Sequence, residues 1–207
     1  MAELSAAERK VVDWIAGERA TVIGLIETLV NTDSGSLDKA GVDAAGAHIR
    51  AFLEQRGIAS DVVANARYGD GIRATVAGGG AGNGTILLMG HRDTVYTRGE
   101  AARRPFRIAD GRGSGPGCCD MKAGLAMNAI VLAAFKQFGP PGPMVALFTA
   151  DEEIGSPSSQ ALIEEEARRA RAVFNSEPGR PSGNVLPRLG YERRFCRGRA
   201  LQVTFHC

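Results

Sequence analysis

Apolar positions recur at helical spacing from about Ala7 to Leu29, where Val11, Val12, Ile15, Val22, Ile23, Ile26 and Leu29 form one stripe. The spacing predicts an amphipathic helix, stopped by Asn31-Thr32-Asp33-Ser34-Gly35. A second helix is expected from Lys39 to Arg56, with Gly57 as its left-handed cap. Short strands are predicted around Ser60–Ala64 and Ile72–Val76, and TILLMG (85–90) reads as a third. The intervening AGGGAGNG (77–84) reads as a hairpin turn. Its glycines have part of the spacing of a phosphate-binding loop, but the lysine is absent and a strand follows where a helix should open. A helix from about Met121 to Phe138 is apolar on most faces, as a helix packed on a sheet is. A strand at Met144–Thr149, a polar helix at Pro157–Ala170 capped by Ser156, and a strand at Arg171–Asn175 complete the pattern. Strands alternating with helices predict right-handed crossovers and a largely parallel sheet, an α/β fold.

Composition narrows the function classes. The 207 residues are 44% hydrophobic and 23% charged with a net charge of +2, the profile of an ordinary globular chain and not of a nucleic-acid or anionic-membrane binder. No apolar run approaches ~20 residues, so no membrane span is expected. The N-terminal residues show no apolar core of signal-peptide length, and a cytoplasmic location is the expectation. The charge is uneven: from Arg180 onward there are six arginines and a single acid, Glu192.

Candidate chemistry collects where apolar runs end. TILLMG leads into His91-Arg92-Asp93, MVALFTA into Asp151-Glu152-Glu153, and RAVFNS into Glu177-Pro178. Ligands of open α/β sheets bind outside the carboxyl ends of the strands, and Asp120 stands at the start of a helix that begins at the same edge. Carboxylates crowded in one cleft repel and raise one another's pKa values unless a cation compensates them. Oxygen donors with one imidazole nitrogen suit zinc, which lowers the pKa of bound water toward ~7. Each piece also has a plain alternative: a histidine that is merely hydrogen-bonded, an aspartate that caps its helix, an acidic first turn. The adjacent Cys118 and Cys119 leave three options open, namely a redox pair, a thiolate metal site, or two bystanders beside Asp120.

Taken together, His91-Arg92-Asp93-Thr94-Val95, Gly115-Pro116-Gly117-x-x-Asp120-Met121-Lys122-Ala123-Gly124, Asp151-Glu152-Glu153-Ile154-Gly155-Ser156 and Glu177-Pro178-Gly179 resemble the ordered motifs of the zinc-dependent aminoacylase/carboxypeptidase family. That family includes carboxypeptidase G (glutamate carboxypeptidase), acetylornithine deacetylase and succinyl-diaminopimelate desuccinylase. The resemblance implies a three-layer α/β/α catalytic domain with a mainly parallel central sheet and two zinc ions. It implies that Asp120 bridges the ions, that His91 and Glu177 complete one site, and that Glu153 serves the other. Asp93 would orient His91, and Glu152 would be the general base for hydrolysis of an N-acyl amino acid or short peptide. A cis peptide at Asp120–Met121 is implied too, and Cys118 and Cys119 become buried thiols without a catalytic role.

The resemblance covers about residues 8 to 185, and members of the family are about twice as long. Residues 1–185 are therefore expected to be the N-terminal part of a truncated catalytic domain, lacking the dimerisation domain and the last histidine ligand. Neither His48 nor His206 has that ligand's context. Residues 186–207 are expected to be a basic tail, from a truncation or frameshift near Asn184–Leu189 or a genuine partner-binding segment. Impaired catalysis is the expectation, with a non-catalytic metal-binding remnant and a related cocatalytic zinc aminopeptidase as alternatives.

Overall fold

In the computed structural model, which describes residues 4–79 and 84–179, the first predicted helix is two. Helix α1 (Ala6–Gly17) opens with a capping box, the Ser5 hydroxyl accepting from the Glu8 N–H and the Glu8 carboxylate from the Ser5 N–H. Helix α2 (Arg19–Val30) follows a break at Glu18, directly after Gly17, a residue that weakens helix interiors. The single stripe read from the sequence is thereby split. α2 buries Leu25, Leu29 and Val30, while α1 only leans on the core through Trp14, whose ring meets Phe138 edge-on. Helix α3 (Lys39–Glu54) is capped by the Asp38 carboxylate, and Gly57 has the expected left-handed backbone at φ 66°.

Strands β1 (Ser60–Val63), β2 (Gly71–Val76) and β3 (Thr85–His91) come next. A short helix α4 (Glu100–Arg103) and a separate hairpin of β4 (Arg107–Ala109) and β5 (Arg112–Ser114) follow. Helix α5 (Ala123–Phe138), β6 (Met144–Thr149), α6 (Gln160–Arg169) and β7 (Ala170–Asn175) complete the described chain. The central sheet has the order β1-β2-β6-β3-β7, with β6, β3 and β7 parallel and β1 and β2 antiparallel at one edge. Residues 77–84 are therefore not a hairpin turn. The strands they join are not neighbours, because β6 inserts between β2 and β3 and pairs with both.

Helices cover both faces, giving the expected three layers. On one face Leu88, Ala146 and Phe148 pack with Leu125, Ala129 and Ile130 of α5 and with residues of α2 and α3. On the other, Leu87, Val145 and Leu147 meet Leu162 and Ile163 of α6. The helical segment Cys118–Phe138, 21 residues, is by length and composition apolar enough to cross a membrane, contrary to the sequence expectation. In this fold 67% of its apolar stretch is buried, which its place in the core explains. Helix α6 starts later than predicted, with Ser159 and not Ser156 at its N-cap; Ser156 has a positive φ of 56°, and the Asp151 carboxylate takes the N–H of Ser158. The basic tail, residues 186–207, lies outside the described residues.

Arg92 has no exposed surface, and its guanidinium donates to the carbonyl oxygens of Thr149 (3.2 Å), Val42 (3.1 Å) and Asp70. Burial pushes its pKa down to about 10 against the opposing charges of Asp43, Asp93 and Asp70. Gly46 in α3 makes room for it: a Cβ there would overlap Nη1 of Arg92 and reach Ile72 Cδ1 at 2.6 Å. In an ordinary helix interior alanine is favoured over glycine by about 1 kcal/mol. Here Gly46→Ala is expected instead to lose about 1–3 kcal/mol from overpacking, because the pinned guanidinium cannot retreat. Urea denaturation measures it.

Candidate metal centre

Parallel pairing sets the site. β3 and β6 run in register with His91 opposite Thr149, and β7 lies parallel on the other side of β3. Three strands therefore end at one edge, which brings His91, the Asp151-Glu152-Glu153 turn and Glu177 to one place. Asp120 arrives from the turn Cys118–Lys122, which leads into α5 through a kink where Asp120 and Met121 leave helical backbone angles, and the peptide Asp120–Met121 is cis as expected. Met121 is fully buried, and its sulfur accepts the His91 N–H at 3.2 Å. Gly90 leaves the space, since a Cβ there would sit 2.5 Å from Met121 Cε.

His91 lies at the bottom of the site with 1% of its side chain exposed, beneath Asp120 (49%), Glu152 (30%) and Glu177 (23%). Its Nε2 is 3.1 Å from Asp120 Oδ1, 3.5 Å from Glu177 Oε1 and 3.8 Å from Glu152 Oε2. Two sets of donors converge to within 4.8 Å: His91 with Asp120 and Glu153, and His91 with Glu152 and Glu177. The sequence-predicted residues meet at one edge, but they group differently from the expected ligand sets: Asp120 and Glu177 fall in different sets, and Glu152, expected as the base, joins Glu177. Among the described residues the other histidine, His48, lies exposed on α3 and belongs to neither set.

Asp93 ties the parts together from below. It is wholly buried, with its carbonyl oxygen 3.0 Å and its Oδ1 3.3 Å from Nδ1 of His91. Its carboxylate also accepts from the backbone N–H groups of Glu152 (3.0 Å) and Glu153 (3.1 Å) and from the Ser36 hydroxyl (2.7 Å). One side chain therefore fixes both the imidazole and the turn that carries two of the acids. Ser36 was not foreseen; its only signal is a Ser-Gly-Ser run after a helix stop. Cys118 is buried as expected, but Cys119 is exposed, a correction. The kinked turn places the Cys118 sulfur beside Gly113 of the hairpin and leaves its neighbour exposed.

The electrostatics are those of a cluster of acids around one base. Burial opposes the His91 cation, yet hydrogen bonds to Asp120, Asp93 and Glu177 outweigh it and raise its pKa well above that of an ordinary imidazole. Burial would raise Asp93, but His91, Ser36 and the Glu152 N–H hold it below the usual carboxylate range. Burial first, then the charges of Asp120, Asp93 and Glu152, push Glu153 up to about 7 against the opposing pull of His91. A carboxyl raised on folding stabilises the fold at acidic pH and loses that contribution as pH rises through its folded value. Glu153→Gln is therefore expected to leave the metal-free chain unchanged near pH 4.5 and to raise its thermal midpoint near pH 8. Melting curves across that range check it.

A sandwich of helices around a mainly parallel sheet, with a histidine–carboxylate cluster at the strands' carboxyl edge, defines an α/β/α domain with a cation-competent site. Residues 87–206 match the model of peptidase family M20/M25/M40, and the chain belongs to that family. It is 39% identical over 165 residues to carboxypeptidase G2 of Pseudomonas sp. (strain RS-16), covering 78% of this chain and 39% of that protein. It is 32% identical over 108 residues to acetylornithine deacetylase of Myxococcus xanthus, covering 52% of this chain and 28% of that one. The chain thus spans well under half the length of these relatives. Human carnosine dipeptidase 1 shares the fold at a TM-score of 0.70 and 18% identity, over 86% of this chain and 42% of that one.

Proposed function

We propose that this chain carries part of a zinc-dependent hydrolase for the amide bonds of N-acyl amino acids or short peptides, of the glutamate-carboxypeptidase kind. The observation that supports it most is the His91 Nε2, ringed at 3.1–3.8 Å by carboxylates from three separate elements. The donor set fits a divalent cation: one imidazole nitrogen with several carboxylates, too many like charges to stay ionised together unaided. In this reading His91, Asp120 and Glu177 hold one zinc, and Asp120 and Glu153 face a second. Zinc, when bound, lowers the pKa of water and polarises the scissile carbonyl. Glu152 takes the proton of the attacking water and delivers it to the leaving amine nitrogen. Asp93 keeps the Glu152 backbone and the His91 ring in place through the bonds described above, the positioning that such proton transfer requires.

A second reading, metal binding without turnover, draws on one observation: both donor sets rely on the single His91. Hydrolysis of an N-acyl glutamate and a dipeptide panel by the zinc-loaded chain, compared with its Glu152→Gln variant, separates the two.

A further inference from the structure

The Glu177 carboxylate sits just after β7 and meets the site through Nε2 of His91 at 3.5 Å. The residue before it is held by helix α5. Ser176 donates its hydroxyl to Oδ1 of Asn128 at 2.5 Å, and Asn128 Nδ2 donates to the carbonyl oxygen of Met89 at 3.0 Å. That same carbonyl receives the Ser176 N–H at 3.3 Å. One helical turn earlier, Gly124 presents bare backbone: a Cβ there would overlap the Ser176 carbonyl and lie 3.1 Å from its Cβ. Asn128 and Ser176 are both buried.

We infer that Asn128 is a positioning residue for metal binding, one that sets Glu177 against His91 and Asp120 by clamping Ser176. The inference rests on the metal-site reading above. The geometry makes the clamp a three-way gauge. Gly124 and Asn128, four residues apart on one face of α5, both touch Ser176, and α5 begins directly after the turn that carries Asp120. Met89, whose carbonyl closes the clamp, is two residues before His91 on β3. The clamp thus sets the Glu177 loop at a fixed place relative to both other donors. Asn128 also stands alone as a polar side chain in the apolar stretch AGLAMNAIVLAAF, where a residue serving packing only would be apolar.

The test is a double-mutant cycle on the full 207-residue chain, with zinc affinity read by competition with a chromophoric chelator and folding checked by circular dichroism. Asn128→Leu keeps the helix and removes the clamp. Zinc affinity is expected to fall about 10-fold or more, the scale on which outer-shell partners act. In a Glu177→Gln background the same substitution is expected to change affinity little, because the clamp acts through that carboxylate. Ser176→Ala, which deletes only a hydroxyl, repeats the measurement should the leucine variant not fold. Equal losses in both backgrounds, which would make the contact a general structural feature, or no loss in the parent, overturn the positioning role. A folded parent chain that binds no zinc overturns the metal reading itself, and the clamp with it.

Discussion

Glu152→Gln is expected to lower hydrolysis of N-acyl amino acids by about 10²–10⁴-fold, the range general bases contribute, with zinc content unchanged. The reasoning is local. Glutamine keeps the volume and leaves the backbone N–H at this position bonded to Asp93 Oδ1, so the turn is undisturbed. What disappears is the capacity to accept a proton. The loss belongs in kcat more than in KM, since in the proposed mechanism the group acts in the transition state and does not hold the substrate. A kinetic comparison at matched zinc occupancy checks it. Equal activity of the two proteins would place the base elsewhere in the cluster.

The second large effect concerns His91. It is the one residue common to both donor sets, and its Nε2 faces Asp120, Glu152 and Glu177. His91→Ala is expected to weaken zinc binding by more than the ~100-fold that losing an outer-shell partner causes. It also acts on the metal-free chain. The imidazolium is held by its carboxylates well above the ordinary imidazole pKa. A base raised on folding contributes stability fully below its unfolded value, and that contribution is lost as pH rises through the folded value. Destabilisation of the metal-free variant should therefore be greatest at mildly acidic pH and shrink on the alkaline side. Zinc titration and melting curves at several pH values provide both readings.

Much of this site is legible in the sequence because every donor but Asp120, which opens a helix after a glycine-rich turn, follows an apolar run that stops abruptly. TILLMG before His91, MVALFTA before Asp151 and RAVFNS before Glu177 mark strands whose ends share one edge once they pair in parallel. Other features carry no such contrast. The β4–β5 hairpin is exposed at every position, so no alternation of buried and open residues announces it. The break between α1 and α2 hides inside a continuous helical stripe, because a backbone kink at Glu18 changes which face is buried without changing the spacing. The insertion of β6 between β2 and β3 is a long-range choice, and the local turn signals at 77–84 cannot encode it. The single polar residues Ser36 and Asn128 form no local motif, and Arg92, though it stands between His91 and Asp93, gives no sign in the sequence of what it bonds. Their meaning comes only from carbonyl, carboxylate and hydroxyl groups that the fold brings to them.

The central claim is that His91 and its carboxylates hold a divalent cation. Anomalous scattering at the zinc absorption edge, from crystals of the zinc-loaded full chain, tests it most directly. The account predicts a peak about 2.0–2.1 Å from Nε2 of His91 with carboxylate oxygens of the cluster at about 2.0–2.2 Å. A well-ordered His91 with no peak beside it, or zinc held instead by Cys118 and Cys119, would contradict it.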